Sequence, residues 1–437
     1  MATRSATGAS RPLIGIRDRS LSRARTAGEP EGEWTADSRR RRRRRVHYWV
    51  GFDVGKAFHW VCVLDGEGKE VLSRKVEAVE EDLETICSEL ERLGGERTVG
   101  LDLLGGPATL LQAVLIERGE RVFHVPGVAV NRARDAYPGE AKTDAGDARV
   151  IADQLRLRQS SLQEVRPREE GEAELRVLVA HRRDLLQDQT RRAARLREVL
   201  LGVFPGLEAA LDFKREGALL AVTKVASPAA ARRLGEARLR RWLKDRGVRK
   251  AQDLAERVVA AAKAQHRKLP ASEAKATLVA EIASEILRTR ERIAELDRHL
   301  EELLVASPEA EVVRSLPGMG VVFTAEFLAE VGDLSRFASA DSLAAAAGIA
   351  PVLRASGARS YQRRARRGNR ALKRLLYRSA FSCIAHHKQS EAYYRKKRAE
   401  GKGHHRAVIA LARRRVDVLW AMLRDGKTYS ERPPRAA

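Results

Sequence analysis

Between residues 273 and 304 the aliphatic side chains Leu278, Ile282, Ile286, Ile293, Leu296, Leu300 and Leu303 recur at steps of three, four or seven. That spacing lays them along one face of a single uninterrupted helix, which at 1.5 Å per residue runs roughly 50 Å. Such a stripe needs a partner of similar length, and the sequence offers one. From Glu169 to Phe204, Leu175, Leu178, Leu185, Leu196 and Leu200 keep near-heptad spacing. The two stretches predict an antiparallel coiled coil within the chain, or pairing between chains, and they divide the sequence. Strand-like patterns come before them. Shorter helices rich in Ala, Arg and Lys, with no readable motif, fill residues 206–272, and a second helical region follows.

Order is expected to begin at Val46. Tyr48-Trp49-Val50-Gly51-Phe52-Asp53 reads as a strand, Val54-Gly55-Lys56 as a turn, Trp60–Leu64 as a second strand closed by Asp65-Gly66, and Glu70–Val76 as a third. Leu83, Ile86, Leu90 and Leu93 share a helical face over 80–93. The strand Thr98–Leu103, a helix from Pro107 to Arg118 and the strand Arg121–Val125 follow. The order β-β-β-α-β-α-β-α predicts three antiparallel strands feeding parallel ones across helices, as in a ribonuclease-H-like sheet. The fold class is therefore α/β plus α.

Within Ala141-Lys142-Thr143-Asp144-Ala145-Gly146-Asp147-Ala148 two carboxylates stand three residues apart at the start of a helix continued by Val150, Ile151, Ala152 and Leu155. Residues at i and i+3 share a helix face, so the pair repels itself unless it is solvated or a cation lies between. Alone, such a pair is usually charge favourable to the helix dipole. Asp53 and Asp102 each end an apolar strand, where an Asp by itself is an ordinary turn residue. In a ribonuclease-H-like sheet these ends converge on one edge. Four carboxylates there would surround two Mg²⁺ ions about 4 Å apart, the arrangement that cleaves phosphodiesters.

The formal charge of +24 and pI near 10.5 call for a polyanionic partner. Residues 1–45 carry 13 basic against 5 acidic side chains and residues 363–437 carry 22 against 5, which leaves the middle near neutral. The first stretch, with the run Arg39–Arg45, is too poor in aliphatics to offset ordering entropy and is expected to be a disordered arm, phosphate-binding or merely solvated. Cys62, Cys87 and Cys383 follow no ligand spacing and are too few for a disulfide framework, which fits a reducing cytosol. Neither a signal peptide nor a bilayer-spanning run is present in the sequence.

In the C-terminal part, Val313–Gly320 followed by Ala325, Leu328 and Val331 has the form of a helix-hairpin-helix, whose glycine turn either offers amides to a phosphate or simply packs two helices. Ala347-Gly348-Ile349-Ala350-Pro351, a polar loop to Gln362 and a basic helix from Arg370 to His386 come next. Arg363, Arg364, Arg366, Arg367, Arg370, Lys373 and Arg374 interleave with Tyr361, Leu372, Leu375 and Tyr377. They predict a nucleic-acid-binding surface with one packed and one phosphate-facing side, without distinguishing DNA from RNA. His386-His387 and His404-His405 lack zinc-ligand spacing and read as helix surface.

Gly51-Phe52-Asp53-Val54-Gly55-Lys56, Asp102 before Gly105-Gly106, and Lys142-Thr143-Asp144-Ala145-Gly146-Asp147-Ala148 resemble the N-terminal motifs of the DEDD transposases of the insertion-sequence "IS one-ten" group. Ser315-Leu316-Pro317-Gly318-Met319-Gly320, Glu330-Val331-Gly332-Asp333, Phe337, Gly348-Ile349-Ala350-Pro351, Ser356-Gly357 and Arg367-Gly368-Asn369-Arg370 are similar to that family's serine domain. The resemblance runs from residue 46 to about residue 425. It implies a RuvC-like catalytic domain at 46–165, a helical coiled-coil region at 166–305, a serine domain at 306–425 and a tail at 426–437.

It further implies a bacterial, cytoplasmic, Mg²⁺-dependent DNA recombinase, nucleoid-associated when acting, that moves its own element. Asp53, Asp102, Asp144 and Asp147 would be the metal ligands and Ser356 the nucleophile of a covalent phosphoserine link. A structured bridge RNA would choose the DNA sites, and a homo-oligomer, dimer or tetramer, would place one subunit's serine at another's metals. Position 102 departs from the pattern, since the family usually has Glu there and Asp is one methylene shorter. Around Ser356 the sequence supplies Arg354, Arg359 and Arg363 for a phosphate but no His or carboxylate base, so activation would fall to the metals. Ser360 is the competing serine. Two other readings are a Holliday-junction-type nuclease without serine chemistry and a decayed, non-catalytic nucleic-acid-binding protein.

Overall fold

Val50 and Phe52 point to one side of strand β1 (His47–Val54) and Gly51 to the other, and all three are buried because the strand is covered on both faces. The structure is a computed structural model describing residues 46–137, 143–167, 169–305, 307–357 and 359–431; the expected basic arm at 1–45, Ala141-Lys142 and the end of the tail lie outside the described residues. The chain divides into two compact units, one ending at Arg168 and one beginning at Glu169.

In the first unit β1 pairs antiparallel with β2 (Phe58–Leu64), which pairs antiparallel with β3 (Glu70–Glu77). On its other side β1 runs parallel to β4 (Glu96–Leu101), and β4 parallel to β5 (Arg121–His124). The expected three antiparallel strands feeding parallel ones are all present. A sixth strand, β6 (Gln163–Val165), adds antiparallel to β5 and completes the order β3-β2-β1-β4-β5-β6. Sequence reading missed β6 because it has three residues and little apolar character. Helices α1 (Glu80–Arg92) and α2 (Thr109–Glu117) cover the face carrying Val50, Phe52, Val99 and Leu101, with Leu83, Ile86, Leu90, Leu111 and Leu115 in the shared core. Helices α3 (Gly127–Arg134) and α4 (Asp144–Arg158) lie on the opposite face.

On that second face Gly51 and Gly100 are cross-strand partners, so at this one register position neither β1 nor β4 carries a side chain. A Cβ on Gly51 would stand 2.2 Å from the Ala148 carbonyl oxygen and 2.5 Å from the Ala152 amide nitrogen, and one on Gly100 would press on Ile151 and Leu155. Here glycine is required by the close approach of α4, whose own contact residues are the small Ala148 and Ala152.

The second unit is organised by α5 (Glu170–Leu201) and α11 (Ser272–Val305). Glu174 pairs with His299, Arg182 with Asp297 and Arg192 with Glu285, so one helix rises as the other falls and the predicted antiparallel pair forms within one chain. The stripe is shifted at both ends of α11: Val279 and Leu304 are buried, while Leu278 is exposed and Leu303 only half-buried. The buried Val279, Ile282, Ile286, Thr289, Ile293, Leu296 and Leu300 step strictly by three and four, a register to which Leu278 does not belong. At one end of the pair Leu196, Leu200, Ile282 and Ile286 enter a core made with α6 (Pro205–Ala210), α7 (Glu216–Lys224), α8 (Pro228–Leu234), α9 (Glu236–Lys244) and α10 (Ala251–Ala264). At the other end Leu175, Val179, Leu300 and Leu304 join a core made with the C-terminal elements.

Those elements are α12 (Pro308–Ser315), α13 (Val321–Val331), α14 (Ala340–Ala346), the hairpin β7 (Val352–Ser356) and β8 (Arg359–Arg363), α15 (Arg370–His386), α16 (Lys388–Ala399) and α17 (His404–Asp425). The hairpin corrects the polar loop expected up to Gln362. Its strands are exposed over most of their length, so no hydrophobic alternation marks them. No helix of the described residues is long and apolar enough to cross a membrane.

Gly51→Ala should cost about 3 kcal/mol of stability, because a Cβ there meets backbone atoms of α4 that cannot rotate aside. Urea denaturation of this variant against Gly66→Ala, whose Cβ would meet nothing within 4 Å, checks this; equal midpoints would show that α4 is not held against β1.

Candidate functional site

Side chains two residues apart on a strand share a face. Asp53 and Asp102 are each two residues beyond Gly51 and Gly100, and so lie at the C-terminal edge of the sheet on the side covered by α4. Thr143 caps α4 by accepting the Gly146 amide at 3.1 Å, which makes Asp144 the first helical residue and puts Asp147 one turn on, immediately before the sheet-packed Ala148. The Asp102 carboxylate accepts the Val54 amide at 3.1 Å and so ties the end of β4 to the end of β1. Burial pushes the Asp102 carboxyl up, and the negative charge of Asp147 pushes it further. Asp102 and Asp147 thus sense each other, while Asp144 stays exposed and Asp53 half-buried.

Two side chains of this edge went unnoticed in the sequence. The guanidinium of Arg134, the last residue of α3, binds Asp147 with Nε 2.7 Å from Oδ1 and a second contact from Nη2. Asp147 is only 6% exposed and its charge needs a partner, which Arg134 provides. His124, at the end of β5, pairs across the sheet with Leu101 next to Asp102; burial pushes its imidazole down, opposed by Asp102. A sequence signal existed only for Arg134, as a cation in the last turn of the helix preceding the Asp144 motif. Among the described residues no three or more His, Cys, Asp or Glu side chains form a ready metal cage. The structure brings Asp102 and Asp147 within electrostatic reach of each other and puts Asp53 at the end of the strand beside Asp102, with Arg134 on Asp147, while Asp144 lies exposed one turn before Asp147.

In the second unit Ser356 ends β7 at the tip of the exposed hairpin, paired with Arg359; Ser360 pairs with Ala355. Gly357 follows with φ of 56°, the left-handed turn that lets the tip fold back. Arg363, Arg364, Arg366, Arg367, Arg370 and Lys373 line a cavity of about 610 Å³ that has no acidic lining residue. The Arg363 Nε is buried without a hydrogen-bond partner among the described residues. Lys373 donates to the Gly348 carbonyl at 2.7 Å, and burial, reinforced by Arg364, pushes its ammonium down. Arg374 lies outside that lining, exposed on α15, whose opposite face buries Leu372, Leu375 and Leu376 as expected.

The remaining C-terminal motifs build this cavity. Gly348 and Gly368 cross with their backbones in contact: a Cβ on Gly368 would stand 2.6 Å from the Gly348 amide nitrogen. Asn369 donates to Glu330 Oε2 at 2.7 Å and accepts the amides of Ala371 and Leu372 at the start of α15, while Glu330 Oε1 receives Arg183 of α5. In the glycine turn before α13, the Cβ direction of Gly318 is filled by Cys383 Sγ and Ser379 O, and the Pro317 carbonyl accepts from Cys383 and the buried Arg415. Packing alone accounts for that glycine. His404 and His405 spend their Nδ1 atoms on hydrogen bonds with Tyr394 and Tyr377, consistent with a surface role and not a metal site.

Asp102→Asn keeps the acceptor for Val54 and removes a charge that burial disfavours. Because the folded-state carboxyl is raised, its stabilising contribution is whole below the ordinary carboxylate range and is lost as pH rises through the raised value. In EDTA the variant should therefore melt above the parent at about pH 8 and converge with it at about pH 4. Thermal melts across that range test this, and a variant less stable at neutral pH would refute it.

Comparison with known proteins finds matches to both ends of the described chain. Residues 50–205 match a family of DEDD transposases of the IS110 type, and residues 310–395 match the transposase IS116/IS110/IS902 family. The 44.8 kDa protein of insertion element IS116 from Streptomyces clavuligerus is 44% identical over 388 residues, 88% of this chain and 97% of its own length. The 42 kDa protein of IS900 from Mycobacterium paratuberculosis is 42% identical over 89% of this chain and 98% of its own length, and the 43.6 kDa protein of IS110 from Streptomyces coelicolor 36% over 89% and 97%. With relatives this similar along nearly their whole length, and with both matched segments in order, the chain belongs to the IS116/IS110/IS902 family of transposases.

Proposed function

We propose that this transposase cuts and rejoins DNA with a RuvC-like Mg²⁺ site of Asp53, Asp102, Asp144 and Asp147 and with Ser356 as nucleophile. The observation that carries the reading is that Asp53 and Asp102 stand at the ends of neighbouring parallel strands, with Asp147 of the glycine-bedded α4 close enough to raise the Asp102 carboxyl. The strand order with three antiparallel strands leading into parallel ones supports the RuvC-like assignment. The donor set fits the metal: carboxylate oxygens are the hard ligands Mg²⁺ takes, and the raised Asp102 beside Asp147 is a pair whose repulsion a divalent cation offsets. When bound, Mg²⁺ would activate the attacking oxygen and stabilise the leaving one. Asp102 is held by Val54, Asp144 and Asp147 are held by the Thr143-capped helix turn, and Arg134 balances Asp147 until a cation or a phosphate engages it.

Ser356 stands on an exposed tip with Arg359 directly across the hairpin and Arg354 two residues back on its own strand, cations that would hold a phosphate against its hydroxyl, while Arg363 lies at the other end of the hairpin opposite Val352. No base of its own accompanies it, so its chemistry depends on the carboxylate site, supplied by a second subunit in a dimer or tetramer. The basic cavity of Arg363, Arg364, Arg366, Arg367, Arg370 and Lys373, with Arg374 beside it, is the anchorage for nucleic-acid phosphates, those of DNA and of a structured guide RNA.

Asp144→Asn should abolish cleavage while leaving the melt and DNA affinity intact. Ser356→Ala should lose, and Ser360→Ala keep, a covalent protein-DNA adduct mapped by mass spectrometry. Mixed in varied ratio, Asp144→Asn and Ser356→Ala proteins should regain partial activity, since some assemblies then hold one intact composite site. Full activity of Asp144→Asn, or an adduct on Ser360, would overturn the corresponding assignment. If exchanging subunits give no recovery, the serine acts within its own chain. Purified protein without co-purifying RNA, and with no competition by RNA for DNA, would remove the guide.

A further inference from the structure

Where α15, α16 and α17 meet, five rings form one continuous cluster that the transposase chemistry does not use. Tyr377 and Phe381 lie four residues apart on α15, Tyr394 comes from α16, and His404 and His405 open α17. The Tyr377 hydroxyl shares a hydrogen bond with His405 Nδ1 at 2.7 Å, and the Tyr394 hydroxyl one with His404 Nδ1 at 2.8 Å. His404 meets Phe381 and Tyr394 edge to face at 5.8 Å and lies 5.2 Å from His405.

Tyr377 and Tyr394 pack in part against the helical core, but ordinary packing does not account for Phe381 or for the exposed His404 and His405. The buried face of α15 is Leu372, Leu375, Leu376, Ser379, Ala380 and Cys383, and Phe381 lies off it with 53% of its surface exposed. The surroundings are cationic. Arg374 and Arg378, also four residues apart, are exposed on α15, where Arg378 also lies over the Phe323 ring of α13 and both act on the carboxyl of Glu326, and Arg406 follows the two histidines. Neither α15 nor the first turn of α17 contains an Asp or Glu. A stripe of rings next to a stripe of guanidiniums matches a nucleic-acid strand, whose bases present flat faces and whose backbone presents phosphates. In a duplex those faces are stacked on one another, so only unpaired bases can reach the rings. The tyrosine-histidine hydrogen bonds already fix the rings, which lowers the ordering cost of stacking.

We propose that Tyr377, Phe381, Tyr394, His404 and His405 form a stacking platform for unpaired bases of the DNA on which this transposase acts. The inference rests on the transposase reading for the choice of DNA, but not on the metal or the serine, and it is tested by binding alone. Anisotropy with the full chain would compare a labelled oligothymidine strand, a duplex of equal length and an oligouridine strand. Phe381→Ala should weaken oligothymidine binding roughly tenfold and leave duplex affinity and the thermal melt unchanged, and Phe381→Trp should restore binding. Bromodeoxyuridine in the strand should photocrosslink to one of the five rings. The proposal fails if the parent does not bind oligothymidine, if Phe381→Ala weakens both DNA forms equally or neither, or if crosslinks map elsewhere. It fails as to DNA if oligouridine binds more tightly with the same dependence on Phe381. Loss of the platform with cleavage intact, or of cleavage with stacking intact, separates this proposal from the catalytic one.

Discussion

The contact of α4 with the side-chain-free strip at Gly51 and Gly100 governs the first unit. Without it α4 would stand off the sheet by the thickness of a side chain, and the turn carrying Asp144 and Asp147 would lose its position over the ends of β1 and β4. The contact also sets register. Strand side chains alternate, so a one-residue slip of β1 would turn Asp53 away from α4 and put Phe52 in the place of Gly51, where no side chain fits. Ala148 and Ala152 complete the fit from the helix side, and the Thr143 cap decides where the helix begins. Two carboxylates at that start then create an electrostatic problem, which the fold answers for Asp147 with Arg134.

Legibility in the sequence followed the range of the interactions. Strands β1 to β5, α1, α15 and the long pair announced themselves by local period. Asp53 and Asp102 were visible because each ends an apolar run, and Asp144 and Asp147 because a helix pattern starts at them. What local pattern does not carry is the choice of partner between elements. Arg134 on Asp147, His124 beside Asp102 and the crossing of Gly348 with Gly368 join residues that only the folded chain brings together. The β7–β8 hairpin was invisible for a different reason: it buries almost nothing, so its strands rest on backbone pairing and leave no hydrophobic imprint. The seam of α11 was read one residue off at Leu278 and Leu303 because each stands next to a second aliphatic, Val279 or Leu304, and spacing alone does not say which of the two faces the partner.

The motifs by which the C-terminal half resembles its family are in large part scaffold. Glu330 joins α5, α13 and Asn369; Asn369 caps α15; Gly348 and Gly368 let two backbones touch; Gly318 admits Cys383. None of these residues needs to touch a substrate to be required. Their combined effect is to fix the loop of Arg363–Arg370 against α15 so that its guanidiniums line one cavity. Ser356 and Phe381, by contrast, sit on exposed surface where packing asks for neither a serine nor a phenylalanine.

The same distinction applies to charge. Along α5 and α11 arginines are spent on carboxylates: Arg182 on Asp297, Arg183 on Glu330, Arg192 on Glu285. In the stretch from Arg363 to Arg374, among the described residues, no guanidinium or ammonium forms a comparable ion pair, although six of these side chains share one cavity. Cations held this close raise each other's energy, a cost that a bound polyanion offsets. Among the described residues the positive charge is therefore not spread evenly: it gathers between Arg363 and Arg374, and anion binding there should be far more sensitive to salt than the packing of the helices that support it.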